Sequence, residues 1–516
     1  MPRYAAIDIG SNSVRMEAAE VAPGQLPRVL ASDREVTRLG ESVFRHGSVS
    51  EEAMHSTCAV LARMAELYRR LDVVGVRVVA TSAIRDTRNK REFLQRASEA
   101  AGSPVEVISG REEARLIHLG VESSWPQAGK RVLIVDIGGG SAEIVAAEGG
   151  VLREAFSRPL GAVRLYENFL KDDPPTPRQL HQMHDYIGEK LSSAVRRLAG
   201  WRWDRAIATS ATASAVSSAV ARVSRSQREE IDRLRISTAQ VRRLYATLAA
   251  LNLAGRRKIT GIGPRRAEIV VPGIAVLLDF MQAFRLRSVY YSRAGVRDGI
   301  IADLALRNVG AELSRMNRDQ RREVENMGRR FGVSCEHARK VAGISNLLFT
   351  ALQPLHQLPP ACGKLLEAAA HLLDVGHYVS NSSHHKHSYY VVSNSDMAGF
   401  TERERMLIAH LCRYHRKNMP SAMHSAYQGL PAEEKRMLLL LIPLLRLADN
   451  LDRSHERRID KLECRARDGE VTLQVSSRGD IDLEQWGAER ASEVFRQVYN
   501  RQIVLTKARE TQGSRP

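Results

Sequence analysis

The stretch Val132-Leu-Ile-Val-Asp-Ile-Gly-Gly-Gly-Ser-Ala-Glu-Ile-Val145 limits what this chain can become more than any other. Four apolar, mostly β-branched residues deliver Asp136 into three glycines, Gly138, Gly139 and Gly140, and then Ser141. Glycine permits positive φ and removes the Cβ, so successive backbone N–H groups can converge on an anion, with the Ser141 hydroxyl as a further donor. The pattern predicts strand, phosphate turn, strand. It occurs earlier as Tyr4-Ala-Ala-Ile-Asp-Ile-Gly-Ser-Asn-Ser13, where Asp8 takes the place of Asp136 and the turn is Gly10, Ser11, Asn12 and Ser13. Two such turns imply two related halves facing one cleft.

At 516 residues the chain exceeds the size at which one core stops growing, so several domains are expected. The five cysteines (Cys58, Cys335, Cys362, Cys412 and Cys464) are scattered with no Cys-x-x-Cys pair, which argues for a reducing compartment and against a zinc ribbon. The chain enters its first strand pattern at once, so no secretory leader is expected. The most apolar run, Met437 to Ala448, holds Pro443 and Arg446 and is too short to span a bilayer. These features lead us to expect a soluble cytoplasmic protein with no membrane partner. A net charge of +18 favours an anionic ligand. Aromatic residues make up only 5%, which argues against single-strand binding by base stacking and makes nucleic acid an unfavoured partner. A surface of solvated arginines would give the same totals.

Along the chain, strands are expected at 4–10, 13–21 and 28–39, then a helix capped by Ser50 whose stripe of Met54, Cys58, Leu61, Ala65 and Tyr68 is core. A buried strand at 73–81 releases Thr81-Ser-Ala-Ile-Arg85 into a loop, and strand 105–109 leads into Arg111-Glu-Glu-Ala-Arg-Leu-Ile, which opens a helix. The plan repeats with strands at 131–137, 142–147 and 151–157, a helix to about 199, and strand 205–210 ending in a third small-residue turn, Ala211-Thr212. After further helices, strand 288–292 precedes Gly295-Val-Arg-Asp-Gly299. From about 310 to 455 the period is helical and most of the sixteen histidines occur there; beyond 455 the period of two returns. The expected domains are 1–126, 127–308, 309–455 and 456–516.

Four blocks carry a resemblance to a known family: Ala-Ile-Asp-Ile-Gly-Ser-Asn-Ser at 6–13, Ser-Gly-Arg-Glu-Glu-Ala-Arg-Leu-Ile at 109–117, Asp-Ile-Gly-Gly-Gly-Ser at 136–141 and Gly-Val-Arg-Asp-Gly at 295–299. In order and spacing they resemble the exopolyphosphatase and guanosine pentaphosphate phosphatase family. The resemblance implies an α/β actin-like, ribonuclease-H-like pair of lobes, an all-α HD-like domain, a small α+β tail, and a homodimer. It also implies Mg²⁺-dependent removal of terminal phosphate. Adjacent helical residues point about 100° apart, so only one of Glu112 and Glu113 can face a cleft; spacing does not choose between them. The resemblance makes Glu113 the base. Asp136, Glu143 and Asp8 would hold Mg²⁺, while the two turns, Arg85 and Arg297 would cradle phosphates. Each has a bland counterpart: turn-capping aspartates, helix-dipole glutamates, a surface Arg85 and a salt-bridged Arg297.

HD hydrolases bind metal through a His, a His-Asp pair and a distant Asp. The matching positions here are His337, Leu373-Asp374 and Asp449, and leucine in place of the pair's histidine argues against a second hydrolytic centre. His377 reads as structural rather than as a substitute. His384, His385, Lys386 and His387, with Arg413, Arg416 and Lys417, read as a polyanion-guiding surface in preference to a metal cluster. The leading expectation is an exopolyphosphatase acting on inorganic polyphosphate; the alternative is hydrolysis of guanosine pentaphosphate to the tetraphosphate. An actin-like kinase shares the phosphate turns but not the Ser-Gly-x-Glu-Glu-Ala block. A non-catalytic polyanion binder would not need Asp8, Glu113, Asp136 and Glu143 together.

Overall fold

The structure, a computed structural model, describes residues 1–507 apart from 23–24, 225–226, 228–229, 309–314, 468 and 478. It forms two compact units, Met1–Val309 and Gly310–Pro516.

The first unit is built on two sheets. In the first, β1 (Arg3–Ile9), β2 (Val14–Glu20) and β3 (Arg28–Glu35) form an antiparallel meander, and β4 (Gly75–Ala80) and β5 (Val105–Val107) continue in parallel, giving the order β3-β2-β1-β4-β5. The second comprises β6 (Arg131–Ile137), β7 (Ala142–Glu148), β8 (Val151–Arg158), β9 (Arg205–Thr209), β10 (Arg235–Ser237) and β11 (Ser288–Tyr291), in the order β10-β11-β9-β6-β7-β8. The block β8-β7-β6-β9 repeats β3-β2-β1-β4. Both meanders turn the same way: the Gly10 N–H donates to Ser13 O at 3.1 Å and the Gly138 N–H to Ser141 O at 3.0 Å.

The third strand stops at Glu35, short of the expected 39. Arg38, at φ 52, turns the chain into a helix at Leu39–His46 that the sequence reading did not anticipate. Its start is tied to the first phosphate turn by Gly40 N–H to Ser11 O at 2.6 Å, and Leu39 and Val43 face the core.

Two helices are exchanged between the sheets. Gly110–Ser124 follows β5 in sequence, yet its Ala114, Ile117 and Val121 pack on Val132, Ile134 and Val145 of the second sheet. Val296–Asn308 follows β11, yet its Ile300, Ile301 and Ala305 pack on Tyr4, Ala6, Ala19 and Val79 of the first. The expected boundary at 126 therefore follows the chain rather than the packing. The two helices touch through glycines: a Cβ on Gly120 would lie 2.3 Å from Gly295 O, and one on Gly299 1.8 Å from Leu116 O.

The second unit is helical from Arg318 to Asn450 and then forms β12 (Ile459–Arg467), β13 (Glu470–Ser477), a helix at Asp482–Tyr499 and β14 (Gln502–Lys507). Ile459, Val471, Leu473 and Phe495 share one apolar core with Leu438, Leu441 and Leu445. The tail expected as a module at 456–516 shares that core, its sheet covered both by its own helix and by the preceding helices of the unit. Among the described residues no helix is long and apolar enough to cross a membrane.

Candidate active site

A cleft of about 630 Å³ lies in the first unit, lined by both phosphate turns, Asp8, Glu113, Asp136, Arg15 and Arg297. The turns nearly touch. A Cβ on Gly139 would lie 3.1 Å from Ser11 Cβ, and one on Gly140 2.6 Å from both Ser11 Oγ and Ser82 Oγ. Positive φ and the missing Cβ were both expected reasons for the three glycines, and none of Gly138, Gly139 and Gly140 adopts a positive φ. Room decides instead: a side chain at 139 or 140 would fill the space between the turns. Ser11 Oγ is buried there and makes no hydrogen bond, an uncommon state for a hydroxyl and one that an anionic oxygen would satisfy. The third turn carries strain, with Ser210 at φ 80 and its Oγ donating to Ile137 O at 2.8 Å.

Ser109 caps the Gly110–Ser124 helix by accepting from the Glu112 N–H at 3.1 Å, which fixes the first turn and separates the two glutamates. Glu112 is buried away from the cleft and bonds Arg115 (2.7 and 2.9 Å) and Arg77 (3.3 Å), and both arginines also bond Asp303. Glu113 lines the cleft, and its Oε2 accepts from Arg85 Nη1 at 2.8 Å. Arg85 also donates to Ile108 O at 2.9 Å and reaches Ser141 Oγ at 3.4 Å, so it joins the carboxylate to the second phosphate turn.

Asp136 on β6 and Glu143 on β7 are direct cross-strand partners. Glu143 is buried behind the lining, with Oε1 accepting from Ser157 Oγ at 2.8 Å. Burial and then Glu113 raise Asp136 to about 7 against the pull of Arg15, and burial raises Asp8 to about 6. Burial, then Glu113, drives Glu143 well above the usual carboxylate range. Arg297 lines the cleft, and its guanidinium also donates to Met16 O at 3.3 Å and sits 3.7 Å from Glu17.

The sequence reading missed Arg15 and Arg266. Arg15 pairs across β1 and β2 with Asp8, so alternation from the first turn would have put it on the cleft face. Arg266, buried and donating to Thr212 Oγ1, comes from a loop with no periodic signal.

In the second unit the proposed guiding surface is only partly a surface. His384 and His385 are buried, and burial lowers both to about 4, which leaves them uncharged at neutral pH and unsuited to attract a polyanion. Lys386, Arg416 and Lys417 are exposed; His387 and Arg413 are half-buried, Arg413 over the rings of Tyr389 and Tyr414. His337, Asp374 and Asp449 do meet: His337 Nε2 is 3.8 Å from Asp374 Oδ2 and 3.5 Å from Asp449 Oδ1.

Duplicated strand-turn-strand halves closing on a carboxylate-lined cleft define an actin-like α/β architecture. The chain belongs to the Ppx/GppA phosphatase family, whose profile matches residues 18–308, with the profile for Ppx/GppA phosphatase, domain III matching residues 320–486. It is 27% identical over 479 residues to the guanosine-5'-triphosphate,3'-diphosphate pyrophosphatase of Vibrio parahaemolyticus, covering 92% of each chain, and 28% identical over 482 residues to that of Vibrio vulnificus, covering 93% of this chain and 90% of the other. Among solved structures it is similar to the Ppx/GppA family member of Aquifex aeolicus (29% identity, TM-score 0.53, 60% of this chain and 99% of that one). It is also similar to an exopolyphosphatase from Cytophaga hutchinsonii (26%, TM-score 0.54, 58% and 97%).

Proposed function

We propose that this chain removes the terminal 5'-phosphate of guanosine-5'-triphosphate,3'-diphosphate as orthophosphate. Water forms the new bond to the γ-phosphorus, the bond to the β–γ bridging oxygen breaks, and Glu113 takes the proton from water. The observation that carries the hydrolytic reading is Ser11 Oγ, buried and unbonded between two turns of backbone N–H groups that Glu113 faces. Phosphoryl transfer asks a protein chiefly for positioning and for positive groups on the non-bridging oxygens. The two turns, Arg85 and Arg297 supply both. Arg85 holds Glu113 toward the Ser141 turn, so the base and the phosphate share one guanidinium.

Asp8, Asp136 and Glu143 fit Mg²⁺, because they are hard oxygen donors whose burial disfavours their charge, and no histidine or cysteine lines the cleft among the described residues. The bound ion would neutralise charge on the phosphate oxygens.

The nucleotide is favoured over the polymer because the relatives named for it match over nearly the whole of both chains, helical unit included. The expectation of inorganic polyphosphate as first substrate therefore becomes the second reading, kept by the net charge of +18 and the likeness to an exopolyphosphatase over 58% of the chain. Orthophosphate release with Mg²⁺, compared as kcat/KM on guanosine pentaphosphate and on long polyphosphate with Glu113→Gln as the blank, separates them. Faster turnover of the polymer would overturn the nucleotide assignment.

A further inference from the structure

In the second unit, Asp374, His377 and His384 bring one carboxylate oxygen and two ring nitrogens within 4.8 Å of one another. Asp374 Oδ1 is 3.5 Å from His377 Nε2 and 3.7 Å from His384 Nε2. Its other oxygen faces His337 Nε2, a buried nitrogen that also sits 3.5 Å from Asp449 Oδ1. A fourth imidazole, His415, puts Nε2 3.2 Å from His384 Nε2.

The far side of three of these rings is fixed by an oxygen. His377 Nδ1 meets Asn381 Oδ1 at 2.8 Å, His415 Nδ1 meets Cys412 O at 2.7 Å and His337 Nδ1 meets Asp452 Oδ2 at 2.7 Å. The Cys412 carbonyl accepts from His415 Nδ1 and so turns that ring's Nε2 lone pair inward, whereas against its burial His337 is raised to about 9 by Asp449, Asp452 and Asp374, and Asp374 raises His377, so an ion there would replace protons on those two rings. Imidazoles oriented through the opposite nitrogen, around a carboxylate, are the usual surroundings of a bound metal ion.

We infer that Asp374, His377 and His384 bind a divalent first-row transition ion, with His415 and His337 beside them. Mixed imidazole and carboxylate donors select manganese, iron, cobalt, nickel or zinc over magnesium or calcium. The leucine at 373 is no obstacle, because His377 and His384 supply the nitrogens from the next turn and the next helix. The exposed Arg416, with Nη1 3.3 Å from His384 Nδ1, is a neighbouring cation that opposes the ion.

The test is a Co²⁺ titration of the full chain after chelator treatment, in an Asp136→Asn background that disables the carboxylate cleft. Stoichiometry is read by calorimetry and ligand type by the visible d–d bands. The expected result is one equivalent bound with a nitrogen-ligated spectrum, affinity lower by about tenfold or more in His377→Ala and in His384→Gln, and tighter binding in Arg416→Ala. Because the His377 side chain is 42% exposed, its replacement leaves the fold intact, and it alone carries the test should the buried His384 variant fail to fold. No d–d spectrum, or one unchanged in both binding and bands by His377→Ala, would overturn the site.

Discussion

Glu112 and Glu113 adjoin in the chain and have opposite surroundings. Replacing Glu113 with Gln should lower kcat by about 10²- to 10⁴-fold with KM within a few-fold, because it removes a proton acceptor and leaves the phosphate turns in place. Replacing Glu112 with Gln should leave the cleft chemistry alone and cost about 3–5 kcal/mol in denaturant unfolding, because Arg77 and Arg115 lose a buried counter-charge. The reverse pattern of effects would exchange the two roles. The sequence could not separate them: a helix places both residues near one end, and only tertiary packing decides which faces the arginines. The glycine turns, Asp8 and Asp136 were legible because strand alternation and glycine runs are local signals. The burial of His384 and His385 was not, because a histidine-rich run has the same composition as core and as surface.

At the level of elements, most strands and helices were legible from period alone, and the failures share a cause. The Leu39–His46 helix is held by contacts to the first phosphate turn, and the exchange of two helices between sheets depends on close backbone approach at glycines far apart in sequence. Neither leaves a periodic trace. Gly299→Ala should force the crossing helices apart, with a loss of about 1–3 kcal/mol or more and a lowered Tm. Gly188→Ala, on an open helix face with nothing near its Cβ, should leave Tm equal or slightly raised. Equal effects of the two in thermal melts would remove the crossing as a constraint.

For the whole molecule, the buried network around Asp303 sets a pH dependence. Burial alone would raise the Asp303 carboxyl, but Arg115, Arg307 and Arg77 hold it well below the usual carboxylate range, and Arg115 and Arg77 likewise hold Glu112 down against its burial. A carboxylate depressed in the folded state adds stability in full above its unfolded value of about 4 and loses it as pH falls below that value. The urea midpoint of the first unit should therefore drop below about pH 4, more steeply than in Asp303→Asn, which starts lower and has less to lose. Matching slopes would place the acid sensitivity elsewhere. The exchanged helices have one more consequence. A chain severed at the exposed Ala128-Gly129 would give two pieces, each carrying the roof of the other's sheet. Neither should fold when made alone, and the two should restore a working cleft when made together: the halves of this unit are copies in plan, yet each is finished only by its twin.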